Sequence, residues 1–236
     1  MTRKYLAFDI ETAADIPGPE FNWRPHRPIG ITCAAIVAGG DAPLVWHGKT
    51  DAGSPAPRMS QEEAREVVKS LVAKVAEGYT VVTWNGLGFD FDVLAEESGA
   101  AEPCRELALG HVDMMFHIFC EKGFPVSLEK AATAMGVAGK LEGLSGWQAP
   151  RLWAKGEHQK VLDYVAQDVR VALAVAQAAE GKNSFSWKTQ KGSISSLPLK
   201  RGWLAVREAL KLPEPDTSWM SDPIPRNTFA GWLKGK

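Results

Sequence analysis

The stretch Tyr5-Leu6-Ala7-Phe8-Asp9-Ile10-Glu11-Thr12 is a short apolar run that ends in two acids. Successive side chains of a strand point to opposite faces. Asp9 and Glu11 therefore project to one side, while Leu6, Phe8 and Ile10 fill a core on the other. Two adjacent carboxylates repel each other and resist desolvation unless positive charge lies between them. Ligands that offer only oxygen suit a hard divalent ion, Mg or Mn.

The chain has 236 residues, of which 45% are hydrophobic, enough for one well-buried domain with an appendage. The apolar stretch behind Met1-Thr2-Arg3-Lys4 is broken at Asp9, so no signal peptide is expected, and no run reaches the roughly twenty apolar residues that span a bilayer. Cys33, Cys104 and Cys120 are odd in number and lack C-x-x-C pairing. They read as buried apolar residues in a reducing cytoplasm, not as a disulfide framework or a zinc site. The formal charge is −1, yet residues 181–236 hold ten cations against four acids, or +6, which leaves −7 for residues 1–180. A basic extension beside an acidic body suits a polyanionic substrate; a solvated tail that keeps the chain soluble is the alternative.

Outward from the first strand, Ala13 to Pro28 holds four prolines and reads as a long loop beginning beside the acidic pair. Ile31–Val37 and Leu44–Trp46 form an antiparallel hairpin, followed by a linker over Lys49–Met59. Ser60 with Glu63 is a capping box for a helix on which Val67, Val68, Leu71, Val72 and Val75 repeat at helical spacing. Thr80–Trp84 is a buried strand. A helix near Phe91–Glu97 stops at Gly99, Val112–Phe116 is a further strand, and Cys104–Phe119 is ambiguous by periodicity. Ser127 caps a helix through Met135, and a long helix covers about Glu157–Ala179. In the C-terminal part, Phe185–Lys188 and Ser193–Leu197 flank Gln190-Lys191-Gly192 as a hairpin, and a helix spans roughly Trp203–Lys211. The order describes an α/β domain over residues 1–180, with a mixed sheet of three antiparallel strands plus parallel strands flanked by helices, and a small basic extension over 181–236 packed on or near it.

Two more acids sit in matching contexts. Asn85-Gly86-Leu87-Gly88-Phe89-Asp90 places an acid where a strand has ended and a helix begins; alone, Asp90 is an ordinary N-cap, and Asp92 a first-turn residue favoured by the helix dipole. Tyr164 and Asp168 are four apart on one helical face, beside an apolar stripe of Leu162, Val165, Val169, Leu173 and Ala176. Alone, that pair is a surface tyrosine with a neighbouring acid.

Together, the D-x-E of Asp9 and Glu11, the N-x-x-x-F-D ending at Asp90 and the Y-x-x-x-D of Tyr164 and Asp168 resemble the DEDD-type 3′-to-5′ exonucleases of the ribonuclease H-like superfamily over most of residues 4–180. Asp163 stands where the histidine branch carries its histidine, so the tyrosine branch is implied, similar to the proofreading domains of family B polymerases and their stand-alone relatives. The resemblance implies that Asp9, Glu11 and Asp168 bind one metal, that Asp9 is shared with a second, and that Asp90 supports the second directly or through water. Two such ions activate a water and stabilise the leaving 3′ oxygen. Tyr164 would orient that water without removing its proton, since a tyrosine's ordinary pKa of about 10 makes a poor base at neutral pH. By the same resemblance, Thr12 and the backbone near Ile10 meet the terminal nucleotide, while Asn85 and Phe89 bind or stack the bases behind it.

The implied partner is the 3′ end of single-stranded DNA, or RNA, gripped by stacking with slight sequence preference. The basic extension, with Trp187, Lys188 and Lys191, holds the strand or docks a polymerase or helicase. Trp84, Trp147 and Trp153 read as core, Trp23 as the tryptophan best placed for substrate. The five histidines, His26, His47, His111, His117 and His158, show no ligand spacing, and Asp113 is left outside the site. The competing readings are a catalytically inactive nucleic-acid-binding or scaffold domain on the same fold, and a structure-specific endonuclease with the same metals.

Overall fold

A computed structural model describes residues 3–16, 22–138 and 146–235. The first strand, β1 (Lys4–Thr12), lies at the centre of a five-stranded mixed sheet ordered β3-β2-β1-β4-β5. It pairs antiparallel with β2 (Ile31–Ala38), which pairs antiparallel with β3 (Leu44–His47). On its other side it runs parallel to β4 (Tyr79–Thr83), and β4 runs parallel to the two-residue β5 (Val112–Asp113). This is the α/β architecture that the order of elements predicts.

Helices cover both faces. One core layer gathers Leu6, Phe8 and Ile10 with α1 (Gln61–Ala76), α2 (Asp90–Ser98) and α3 (Ala101–Gly110). The other gathers Tyr5 and Ala7 with α5 (Leu128–Met135), α6 (Ala149–Ala154) and the long α7 (His158–Gly181). The intervening α4 (Met114–Lys122) contributes Met114 and Ile118 to one layer, Phe116 and Phe119 to the other. The hairpin of β6 (Ser184–Lys188) and β7 (Ile194–Pro198) buries Phe185 and Trp187 in the α7 layer. Two short helices, α8 (Val206–Ala209) and α9 (Asn227–Ala230), close the chain.

Several elements differ from expectation for local reasons. The expected strand Val112–Phe116 ends at Asp113, because the Asp113 carboxylate accepts the Phe116 N–H at 2.9 Å and caps a helix there. The ambiguous segment before it is α3, which buries Cys104, Leu107 and Ala108 on one face. The helix expected over Trp203–Lys211 is a single turn: Trp203 is fully buried and donates its indole N–H to the Ala176 carbonyl at 3.1 Å, and Leu204 N–H is taken by His117 Nδ1 at 3.3 Å. On α1 the capping box forms as expected, but only part of the apolar stripe is covered. Val67, Val68 and Leu71 are buried, while Val72 and Val75 are 46% and 45% exposed. Trp153 is buried as expected, whereas Trp147 is 53% exposed. All three cysteines are free and buried, and burial pushes the Cys104 and Cys120 thiols up to about 12.

Two buried histidines tie stability to pH. His111 hydrogen-bonds Thr83 Oγ1 and the Ala108 carbonyl, His117 accepts from Leu204, and burial lowers both to about 4. Between that value and 6.5 the unfolded chain binds protons that the folded chain refuses, so this contribution is present above 6.5 and is lost as pH falls toward 4. Asp113, raised to about 6 by burial, acts in the opposite sense over its own window. His117→Asn, which keeps an acceptor for Leu204, is expected to shrink the stability difference between pH 7 and pH 4.5 by about 2 kcal/mol, as measured by urea denaturation at each pH.

Candidate active site

The same alternation that buries Tyr5 and Ala7 against α7 carries Asp9 and Glu11 onto the α7 side of the sheet. There the register slips between Glu11 and Thr12, and the Thr32 hydroxyl donates to the Glu11 carbonyl at 3.1 Å. From α7, Tyr164 and Asp168 come from the face that also buries Val161 and Val165. Carboxylate oxygens of Asp9, Glu11 and Asp168 lie within 4.8 Å of one another, with Glu11 and Asp168 only 6% exposed. A pocket of about 360 Å³ holds the three acids with Thr12, Phe89, Trp147 and Tyr164. Tyr164 is 3% exposed, so it is not a surface tyrosine.

Asp90 arrives differently. The pairing of β1 with β4 ends at Ala7 and Val82, and beyond that point the Asp90 carboxyl accepts the Ile10 N–H at 3.1 Å. Asp90 is 2% exposed and is hydrogen-bonded to Asp9. Burial pushes it up to about 7, against the lowering effect of those hydrogen bonds. It occupies the first turn of α2 rather than the cap position, which belongs to Phe89. The Ile10 side chain is buried in the core and its N–H is committed to Asp90; Thr12 is also buried. Asn85 and Phe89 line a neighbouring cleft.

The turn that delivers Asp90 is built around Asp113, the acid that sequence reading left outside. Its carboxylate accepts the N–H groups of Asn85 at 3.1 Å and Leu87 at 2.9 Å, besides that of Phe116. Asn85 adopts φ 71°, and a Cβ on Gly86 would stand 2.3 Å from Thr83 Oγ1, so the turn closes only over a glycine. The N-G-x-G spacing is the signal for that turn; its buried partner, 28 residues away from Asn85, carries no local signal.

Trp23 is 5% exposed, set edge-on to Phe89 at 5.3 Å between centroids, with the Arg24 and Arg27 guanidinium groups each 4.7 Å from its ring. Its edge packs on Phe89, and it lines the same neighbouring cleft as Asn85 and Phe89. Asp92 is more than a dipole residue: it is buried and paired with Arg27, with Arg24 at 3.6 Å. Trp147 reaches the acid pocket.

A model of the RNase H superfamily matches residues 45–179. The chain belongs to that superfamily. Among solved structures it is similar to the family B DNA polymerase of the hyperthermophilic archaeon Pyrobaculum calidifontis, at 20% identity and a TM-score of 0.55, over 76% of this chain. That likeness concerns the fold, and this chain spans a quarter of the polymerase's length. No curated protein matches the sequence. The superfamily match begins after β1, so the first two acids enter through geometry, not through the matched region. The donor set suits the divalent metals of this superfamily: three clustered carboxylates, with a fourth acid hydrogen-bonded to one of them. Among the described residues, no helix is long and apolar enough to cross a membrane.

Asp113→Ala leaves buried N–H groups of the turn without an acceptor, each worth ~1–3 kcal/mol. Urea denaturation is expected to show a loss of about 3 kcal/mol; a loss under about 1 kcal/mol would mean the turn holds without Asp113.

Proposed function

We propose that the protein is a metal-dependent 3′-to-5′ exonuclease acting on unpaired DNA ends by a two-metal mechanism, with RNA as the alternative substrate. The observation that carries this reading is the gathering of Asp9, Glu11 and Asp168 oxygens within 4.8 Å beside Tyr164. Membership of the RNase H superfamily supports a nuclease, and the likeness to a family B polymerase supports the exonuclease branch.

Asp9, Glu11 and Asp168 would hold one Mg or Mn ion, and Asp9 with Asp90 a second. Bound ions would supply an activated water and charge stabilisation at the phosphate. The chain's own groups do the rest. Asp90 restrains both Asp9 and the Ile10 backbone, and its hydrogen bond with Asp9 relieves the repulsion between a buried and a half-buried carboxyl. Tyr164 sits where its hydroxyl can orient a water, Phe89 stacks a base, and Asn85 and Thr12 contact the strand. The basic extension over 181–236 would attract the polyanion or dock a polymerase or helicase, in a DNA repair setting. Buried free thiols fit a reducing cytoplasm.

Purified protein with Mn is expected to release nucleoside monophosphates from the 3′ end of a labelled single strand, and to leave a circular strand intact. Indifference to EDTA would overturn the reading. Asp168→Asn is expected to abolish release, and Tyr164→Phe to lower kcat by about 10- to 100-fold with little change in KM. Millimolar Mn should raise the melting temperature, since it binds only the native state, by about 3 kcal/mol of stability at a hundred times its Kd; Asp9→Asn should blunt the rise. An equal rise in the variant would place the ions elsewhere.

A further inference from the structure

Beyond α7 the chain leaves the region of the superfamily match, yet it returns to the turn that carries Asp90. Arg226 is anchored by donating to the carbonyls of Leu212 at 2.6 Å, Pro213 at 2.7 Å and Cys120 at 3.1 Å. Phe229 packs on Phe119 and Phe116, with centroids 4.7 and 5.9 Å away. A Cβ on Gly88 would stand 2.8 Å from Phe229 Cδ1, so the glycine is what lets the C-terminal segment press against the turn. From a 3-10 turn over Gly231–Lys234, the Trp232 indole N–H then donates to the Leu87 carbonyl at 2.7 Å.

Leu87 is held from two directions. Asp113 takes its N–H at 2.9 Å from the sheet side, and Trp232 takes its carbonyl from the tail side. The following carbonyl, that of Gly88, accepts from Arg24 at 3.1 Å. Two residues beyond Gly88 comes Asp90, whose carboxyl accepts the Ile10 N–H at 3.1 Å and is hydrogen-bonded to Asp9. Leu87 stands between Gly86 and Gly88, and glycine leaves the backbone its widest freedom, so the Leu87–Gly88 peptide depends on partners for its orientation. Rotation of that peptide would carry Asp90 away from Asp9. A displacement on the order of 1 Å at a reacting site can cost about a hundredfold in rate. Trp232 is half-buried and does not line the acid pocket, so any effect on the site passes through Leu87.

We propose that Trp232 is a positioning residue for the acid site: its hydrogen bond fixes the Leu87–Gly88 peptide and thereby holds Asp90 against Asp9 and β1. The consequence for turnover rests on the exonuclease reading; the hold on Asp90 does not. Two variants separate the hydrogen bond from the packing. Trp232→Phe keeps an apolar ring and removes the donor. Trp232→His, at about pH 8 where imidazole is neutral, gives up the six-membered ring but keeps an N–H where the indole has its own. Each is expected to melt within about 4 °C of the wild type. Hydrogen exchange of the Ile10 amide, followed by NMR in metal-free buffer, reads the hold of Asp90 on β1 without catalysis. Exchange is expected to quicken about fivefold or more in Trp232→Phe and less than about twofold in Trp232→His, with amides of the β2–β3 ladder unchanged. In Mn buffer, kcat on a labelled thymidine decanucleotide should fall about tenfold in Trp232→Phe with KM unchanged, and stay near wild type in Trp232→His. A tryptophan that only packs gives the reverse order, because histidine loses the larger apolar area. That reverse order, an unchanged Ile10 amide in Trp232→Phe, or an unchanged kcat in a chain that cleaves would overturn the positioning role. The expected exchange pattern in a chain whose wild type never cleaves would sustain it and sink the nuclease reading.

Discussion

Everything at the site depends on the burial of β1 on both faces at the centre of the sheet. Because Leu6, Phe8 and Ile10 must face α1 and α2, and Tyr5 and Ala7 must face α7, a slip of one residue would turn the carboxylates of Asp9 and Glu11 into an apolar layer. The core therefore sets the acids' direction before any ligand is considered. Packing of α7 against the same face then brings Asp168 to them. Carboxylates held together this way are electrostatically unfavourable by themselves. Sharing of a hydrogen bond between Asp9 and Asp90, with Asp90 displaced far above the ordinary carboxylate range by burial, is how the fold bears that charge.

The second half of the site is held by the ends of the parallel strands. Where β4 stops, Asp90 takes over an N–H of β1; where β5 stops, Asp113 takes two N–H groups of the turn and one of α4. Carboxylates thus finish hydrogen bonds that the ladder leaves open at its carboxyl edge, the edge where ligands bind in sheets of this type. The C-terminal segment adds an outer support through Trp232 and Phe229, so the turn is gripped from the sheet side and from the tail side at once.

Much of this was legible in the residues. Strand alternation in Tyr5–Glu11, the capping box at Ser60 and Glu63, and the helical stripe from Leu162 to Ala176 each carry a local physical signal, and their order implies the mixed sheet. Reading failed where a distant partner decided the outcome. Val112–Phe116 has strand-like composition, but Asp113 caps a helix within it. Trp147 has apolar neighbours and still reaches solvent.

Residue order alone determined which acids stand on which strand or helix, because periodicity and caps are properties of neighbours along the chain. It also determined their oxygen-only chemistry. Tertiary structure alone decided that Asp113 shapes the turn, that Asp90 bonds to β1, and that residues 222–232 flank the site. Those are contacts across 28, 80 and more than a hundred positions, whose energies come from burial and hydrogen-bond completion that no local pattern encodes.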